Sequence, residues 1–199
     1  MPNYASIKNL LDASGSDKGK WYGGLYDVLL QPHRLTIRCV VEIGIGTMIP
    51  FAPSSMVGWA GENYQPGASL RVWRDFFPNA IVHGLDVAPD TLFSEDRIQT
   101  HLCNSTNPDS VQQILPHIGT PDLIIDDGLH TLEAQKQTLT NLFPALCPGG
   151  LFVVEDVSPA YTAPLIEKLQ TVCPGCPAFV DRSHQDWVAV VIRKPEWNG

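Results

Sequence analysis

Short apolar runs alternate with stretches of helical period along this chain, the pattern of an α/β sheet packed between helices. Leu123-Ile124-Ile125, led in by Asp122, suits a strand buried on both faces, and it stops at Asp126-Asp127-Gly128-Leu129-His130. Leu151-Phe152-Val153-Val154 has the same shape and stops at Glu155-Asp156. Arg38 to Ile43 and Ala80 to Asp86 make two more strands, and Ile98 to Leu102 a weaker one. The chain closes with Ala178–Asp181 and Trp187–Ile192, joined by a segment short enough for a hairpin. That gives an antiparallel edge on an otherwise parallel, doubly wound sheet of seven strands.

Helical patterns fill the spaces between. One covers residues 1–14, with Ile7, Leu10 and Leu11 on one side; another runs from Ser69, its expected N-cap, to Phe77. Others start at Asn107-Pro108, span residues 131–146 up to Pro148-Gly149-Gly150, and run from about Ala160 to Val172. Two segments do not fit the alternation. Gly15-Ser16-Asp17-Lys18-Gly19 reads as a turn, followed by Trp21, Tyr22 and Tyr26, which can pack a helix against the domain. Residues 48–68, with Pro50, Pro53, Trp59, Tyr64 and Pro66, delay the expected helix. A long loop leaving the carboxyl end of a strand is placed to be a lid or pocket wall.

Composition narrows the picture. The 199 residues suit a single domain, 1–199, and 44% hydrophobic with 17% charged residues is ordinary globular composition. A net charge of -8 without a Lys/Arg cluster argues against broad nucleic-acid binding. No apolar stretch is long enough for a bilayer and no signal-peptide pattern opens the chain, so the expectation is a soluble cytoplasmic protein without membrane contact. Cys39, Cys103, Cys147, Cys173 and Cys176 read as reduced thiols, with Cys173-Pro174-Gly175-Cys176 a turn rather than a redox pair.

The acids change the picture most. Parallel strands deliver ligand-binding groups at their carboxyl ends. If the two acid-tipped strands are neighbours, Asp126, Asp127, Glu155 and Asp156 crowd one rim and repel unless protons or a cation neutralise them. Capping of the following helix explains one acid per strand, not two. Glu42-Ile43-Gly44-Ile45-Gly46 ends another strand in a turn where backbone can approach a ligand. It departs from the dinucleotide fingerprint, since Ile49 stands at the third glycine position. Asp86, at the end of the next strand, is placed to accept ribose hydroxyls.

These residues resemble the class I S-adenosylmethionine-dependent methyltransferases over nearly the whole chain. Gly-Ser-Asp-Lys-Gly, Ile-Asp-Asp-Gly-Leu-His and Val-Glu-Asp resemble, within them, the metal-dependent macrolide-sugar O-methyltransferases. The resemblance implies a Rossmann-like fold, S-adenosylmethionine as cofactor and Mg²⁺ or another divalent cation held by Asp127, Glu155 and Asp156. It makes His130 the general base beside Asp127. Cofactor contacts fall to Glu42, Gly44, Gly46, Asp86, Asn104, Ser105 and Asp126, with Ser16, Asp17, Lys18 and Tyr22 in an N-terminal helical lid (residues 1–30). Leu129 stands where the family usually has serine. The chain shows no counterpart of the macrolide enzymes' additional domain, so the expected acceptor is a small molecule, or a neighbouring subunit of a homo-oligomer completes its pocket. The rival expectations are a fold-mate that isomerises or cyclises without consuming the cofactor, and a non-catalytic nucleotide-binding subunit; an NAD-dependent oxidoreductase ranks below both.

Overall fold

The computed structural model describes residues 6–52, 54–58, 60, 64–184 and 186–196. Residues 1–5 of the first expected helix, and Pro53 and Trp59 of the long loop, lie outside them. The helix begins at α1 (Ile7–Ser14), where Ser6 Oγ accepts from Asn9 N, and ends at Gly15 in the left-handed region. Ile7 and Leu11 face inward, as their spacing requires. The turn that follows leads into α2 (Lys18–Trp21) and α3 (Gly23–Leu30). Asp27 ties α3 back to α1, accepting from Ser6 Oγ and Ile7 N, each at 2.6 Å.

The remaining elements are β1 (Cys39–Ile43), α4 (Ala68–Phe76), β2 (Ile81–Asp86), β3 (Ser94–Glu95), β4 (Ile98–Leu102), α5 (Pro108–Ile118), β5 (Leu123–Asp126), α6 (Leu132–Leu142), β6 (Leu151–Val157), α7 (Thr162–Val172), β7 (Ala178–Asp181) and β8 (Val188–Arg193). They form one sheet in the order β3-β4-β2-β1-β5-β6-β8-β7. The strands from β4 to β6 are parallel; β3, β8 and β7 run antiparallel to their neighbours. Apolar side chains fill both faces, one layer beneath α1–α4 and the other beneath α5–α7.

Two expectations need correction. The sheet has eight strands, not seven: the added β3 is two residues long, too short for any periodicity to announce. Ser69 is not the N-cap of α4. Gly67, left-handed at φ 76°, stands there, and Ser69 lies inside the helix with its hydroxyl donated to Glu42 at 2.8 Å. Asn107 does cap α5, accepting from Asp109 N and Ser110 N. The Cys173–Cys176 segment is a turn closed by Cys176 N on the Cys173 carbonyl, and all five cysteines are free. No helix among the described residues is long and apolar enough to cross a membrane.

The topology sets the position of the site. From β1 the chain builds outward through β2 and β4, then returns to lay β5 on the other side of β1. Strand order reverses there, which opens a crevice at the carboxyl ends of β1 and β5. Ile43 pairs with Asp126, and Asp126 with Val154, so the acids that end β5 and β6 are on adjacent rungs.

Candidate active site

Beta-6 departs from regularity where its acids begin: its register with β8 shifts between Val154 and Val157. Asp156 adopts φ 48°, a left-handed conformation uncommon for a residue with a side chain. Such bulges re-aim a side chain, and strained backbone tends to gather at functional sites. Tyr22 fastens the bulge: its hydroxyl donates to the Asp156 carboxylate and accepts from Asp156 N at 3.0 Å. Opposite, His130 Nε2 lies 3.2 Å from Asp127 Oδ1, and its Nδ1 3.7 Å from Asp156 Oδ2. One ligand atom each from Asp127, His130 and Asp156 falls within 4.8 Å of the others, the one group of this kind among the described residues.

Glu155 is engaged differently. Although only 1% exposed, it accepts from the Lys18 ammonium and from the Tyr26 hydroxyl. Lys18, 4% exposed, also pairs with Asp127 and lies 3.3 Å from Glu42. The expected lid residue is thus a buried cation bridging acids from three strands. Burial alone would strip its proton; Asp127, Glu155 and Glu42 more than reverse this and hold its pKa well above the usual lysine value. Glu42 itself accepts from Trp73 Nε1 at 2.6 Å as well as from Ser69, so it anchors α4 beneath the site.

One ammonium does not balance the surrounding acids. Burial raises the pKa of Asp126 to about 7 and pushes Glu155 and Glu42 upward against the pull of Lys18. Asp127 goes the other way: Lys18 and His130 overcome burial and lower it. His130 is raised to about 9, because hydrogen bonding and attraction from Asp127, helped by Asp156, outweigh burial. Asp126 Oδ2 is buried with no hydrogen-bond partner, while Oδ1 accepts from Gly128 N. Surplus negative charge and two converging carboxylates beside an imidazole suit a hard divalent cation that keeps some waters. The residues present therefore fit the implied metal.

Three of the expected cofactor residues, Gly44, Gly46 and Asp86, gather at the carboxyl end of β1. Gly44 and Gly46 both have positive φ; a Cβ on Gly44 would strike the Asp127 carbonyl, and one on Gly46 the Tyr64 hydroxyl. The first glycine lets β1 and the acid loop touch, and the second lies under the long loop. Asp86, 3% exposed, accepts from Ile45 N, Ala88 N and Ser54 Oγ, each at 3.0 Å. Tyr64 donates to the Ile45 carbonyl. Ser54 and Tyr64 of the long loop thus fold back over the glycine turn. Asn104 and Ser105 follow β4: Asn104 accepts from Thr106, and Ser105 shares a hydrogen bond with Thr138 at 2.9 Å. Asp17, next to Lys18, has its pKa raised by burial, while Ser16 N donates to Ser14 Oγ.

Sequence reasoning did not find Tyr26, Ser54, His184 or Trp187. Tyr22 and Tyr26 are four residues apart, a spacing that puts two hydroxyls toward one place and was available as a signal. Nothing local marked the others, which arrive from a loop and a distant hairpin.

Solved structures with this architecture include the MycE methyltransferase from the mycinamycin biosynthetic pathway in complex with Mg and SAH, with a TM-score of 0.76 at 22% identity over 99% of this chain and 57% of that one. This is a class I methyltransferase fold. No protein-family model matches the chain. Among curated proteins, the 8-demethyl-8-alpha-L-rhamnosyl tetracenomycin-C 2'-O-methyltransferase of Streptomyces olivaceus is 36% identical over 74% of this chain and 36% of its own length. The demethylmacrocin O-methyltransferase of Streptomyces fradiae is 33% identical over 71% of this chain and 33% of its own length. The matched part of this chain therefore covers about a third of the length of these two O-methyltransferases.

Proposed function

We propose that this chain is an S-adenosylmethionine-dependent, Mg²⁺-assisted O-methyltransferase acting on a hydroxyl of a small secondary metabolite. The reading is carried by His130 standing between Asp127 and Asp156, at the ends of adjacent strands beside the glycine turn. Its relatives are O-methyltransferases by name, and MycE was solved with Mg and SAH. The cofactor would supply a methyl group on a sulfonium, and the cation would make an acceptor hydroxyl easier to deprotonate.

The chain's own residues have separable tasks. Asp127 and Asp156 would hold the cation. Glu155, also expected as a ligand, has both oxygens engaged by Lys18 and Tyr26 and would act with Lys18 to fix Asp127 in place. Asp86 and the turn at Gly44–Gly46 would hold the nucleoside and amino-acid parts of the cofactor, with Asp126, Asn104 and Ser105 completing that cleft. His130 would take the hydroxyl proton, which requires its neutral form; the pull of Asp127 and Asp156 favours the protonated ring until their charge is neutralised.

The test is a turnover assay paired with calorimetry on S-adenosylhomocysteine. EDTA should abolish methyl transfer. His130→Ala should lower turnover on the order of 10²- to 10⁴-fold while leaving cofactor affinity intact. Wild-type turnover that persists in EDTA removes the metal from the mechanism, and lost cofactor affinity in His130→Ala removes the base assignment.

A further inference from the structure

The Cys-x-x-Cys segment after α7 takes no part in the machinery described above. It lies at the opposite rim of the sheet. The Cys176 thiol donates to the Arg193 carbonyl at 3.1 Å, and Arg193 pairs with Leu151, the first residue of β6, whereas the acids stand toward that strand's other end. The turn itself brings the two cysteines together. Cys176 N donates to the Cys173 carbonyl at 3.1 Å, with Pro174 and a left-handed Gly175 (φ 75°) between them. A turn closed in this way holds its first and fourth Cα atoms within about 7 Å. Disulfides usually span about 4.4–6.8 Å between Cα atoms. Gln170 braces the turn from α7, its Oε1 accepting from Gly175 N at 2.8 Å and its Nε2 donating to the Cys176 carbonyl at 3.1 Å. The two thiols interact: burial, then hydrogen bonding and charge from Cys173, push Cys176 up to about 12. Cys176 is 3% exposed, while Cys173 is half-buried beside the exposed Pro174-Gly175 tip.

We propose that Cys173 and Cys176 form a dithiol site that exchanges with a small-molecule disulfide and closes reversibly to an intramolecular disulfide. The inference stands apart from the methyltransferase reading. Cys173, the more accessible sulfur, attacks as thiolate one sulfur of the small disulfide. A new S–S bond forms, the old one breaks, and one thiol leaves with the proton that Cys173 gave up. Cys176 then loses its proton to water and attacks the Cys173 sulfur, expelling the second thiol, which takes up a proton. The protein gives up two electrons and two protons, and the small disulfide is reduced to two thiols. With Cys173 in a mixed disulfide, its charge no longer opposes ionisation of Cys176, and the Lys194 ammonium favours it. Cys39 and Cys147 are the rival pair, but both face Asp122, whose charge adds to burial in keeping them protonated.

The probe is glutathione. The folded chain is equilibrated with mixtures of its oxidised and reduced forms, the remaining thiols are alkylated, and peptides are read by mass spectrometry. Circular dichroism at each mixture confirms the native fold, which keeps thiols exposed by unfolding out of the readout. Wild type should lose the Cys173 and Cys176 thiols together, with the two joined to each other, and should recover both in excess reduced glutathione. Cys176→Ser should stop at a glutathione adduct on Cys173, and Cys173→Ser should leave Cys176 reduced. Gln170→Ala frees the turn of the dithiol form and should shift the equilibrium toward it by about two- to tenfold, the weight of a single hydrogen bond. Both thiols remaining free at every glutathione ratio overturns the proposal. So does a glutathione adduct on wild-type Cys173 that never resolves, or closure between Cys39 and Cys147 in its place.

Discussion

Asp127, Glu155 and Asp156 look alike in the sequence, three acids at two strand ends, and the structure separates them by their partners. Asp156 is re-aimed by its own left-handed backbone and secured by Tyr22; Asp127 is shared between Lys18 and His130; Glu155 is enclosed by Lys18 and Tyr26. Their substitutions should therefore differ. Supporting groups around a metal are worth about 10- to 100-fold in affinity, so Glu155→Gln should weaken Mg²⁺ binding by about tenfold. Asp127→Asn and Asp156→Asn should each cost about a hundredfold or more, read by Mg²⁺ titration calorimetry. Equal losses in all three would make Glu155 a direct ligand. A second residue-scale expectation concerns His83, 3% exposed, with Nδ1 3.1 Å from His101 Nε2. Burial, with the neighbouring His101, lowers its pKa to about 4 from an ordinary 6.5. The folded state thus resists a proton that the unfolded chain accepts. Stability from this site is complete above pH 6.5, falls as pH drops toward 4, and changes by on the order of 1–3 kcal/mol. Urea unfolding at pH 7 and pH 5 should show a smaller loss in His83→Asn than in wild type; equal losses refute the assignment.

Among the elements, the long loop after β1 has the clearest consequence. Its start is pinned to its own middle, with Thr47 N donating to the Ser54 carbonyl and Met56 N to the Thr47 carbonyl. That pinning delivers Ser54 Oγ to the Asp86 carboxylate, where the ribose hydroxyls of the cofactor are expected. The loop and the cofactor would then compete for one acceptor. Ser54→Ala removes the competing donor, and a single hydrogen bond is worth about 0.5–1.5 kcal/mol, so S-adenosylhomocysteine should bind about two- to tenfold more tightly. Weaker binding would mean that Ser54 supports the cleft instead. The same element shows why legibility in the sequence was uneven. Strands β1, β2, β5 and β6 are largely apolar because parallel strands are covered on both faces, and their existence could be read directly. The two-residue β3 and the cap of α4 could not. One is shorter than a period, and the other depends on a left-handed Gly67 that a neighbouring serine obscured. Asp127, His130 and Asp156 were legible as acids and a base at strand ends. The bulge that turns Asp156 toward them was not, since it depends on Tyr22 across 134 positions of chain.

The whole molecule carries net charge -8, and its fold concentrates Glu42, Asp126, Asp127, Glu155 and Asp156 at one crevice with Lys18 as the buried ammonium among them. A sheet whose order reverses at β1 cannot avoid this, because the carboxyl ends of β1, β5 and β6 meet there. Folding therefore works against mutual repulsion, which a divalent cation bound only by the folded state would relieve. Mass action gives the size: a ligand at one hundred times its Kd stabilises by about 2.7 kcal/mol. For a domain of this length each kcal/mol moves the midpoint by about 2–4 °C, so saturating Mg²⁺ should raise Tm by about 5–10 °C. The rise should vanish with EDTA and should not be reproduced by NaCl at equal ionic strength, which screens exposed charges while reaching buried ones far less. Asp127→Asn/Asp156→Asn together should begin with a Tm below that of the cation-free wild type, since the buried Lys18 loses Asp127 as a partner, and should not respond to Mg²⁺. A double variant that still gains the full increment would place the cation elsewhere on the surface, and the crevice would lose its claim to be a metal centre.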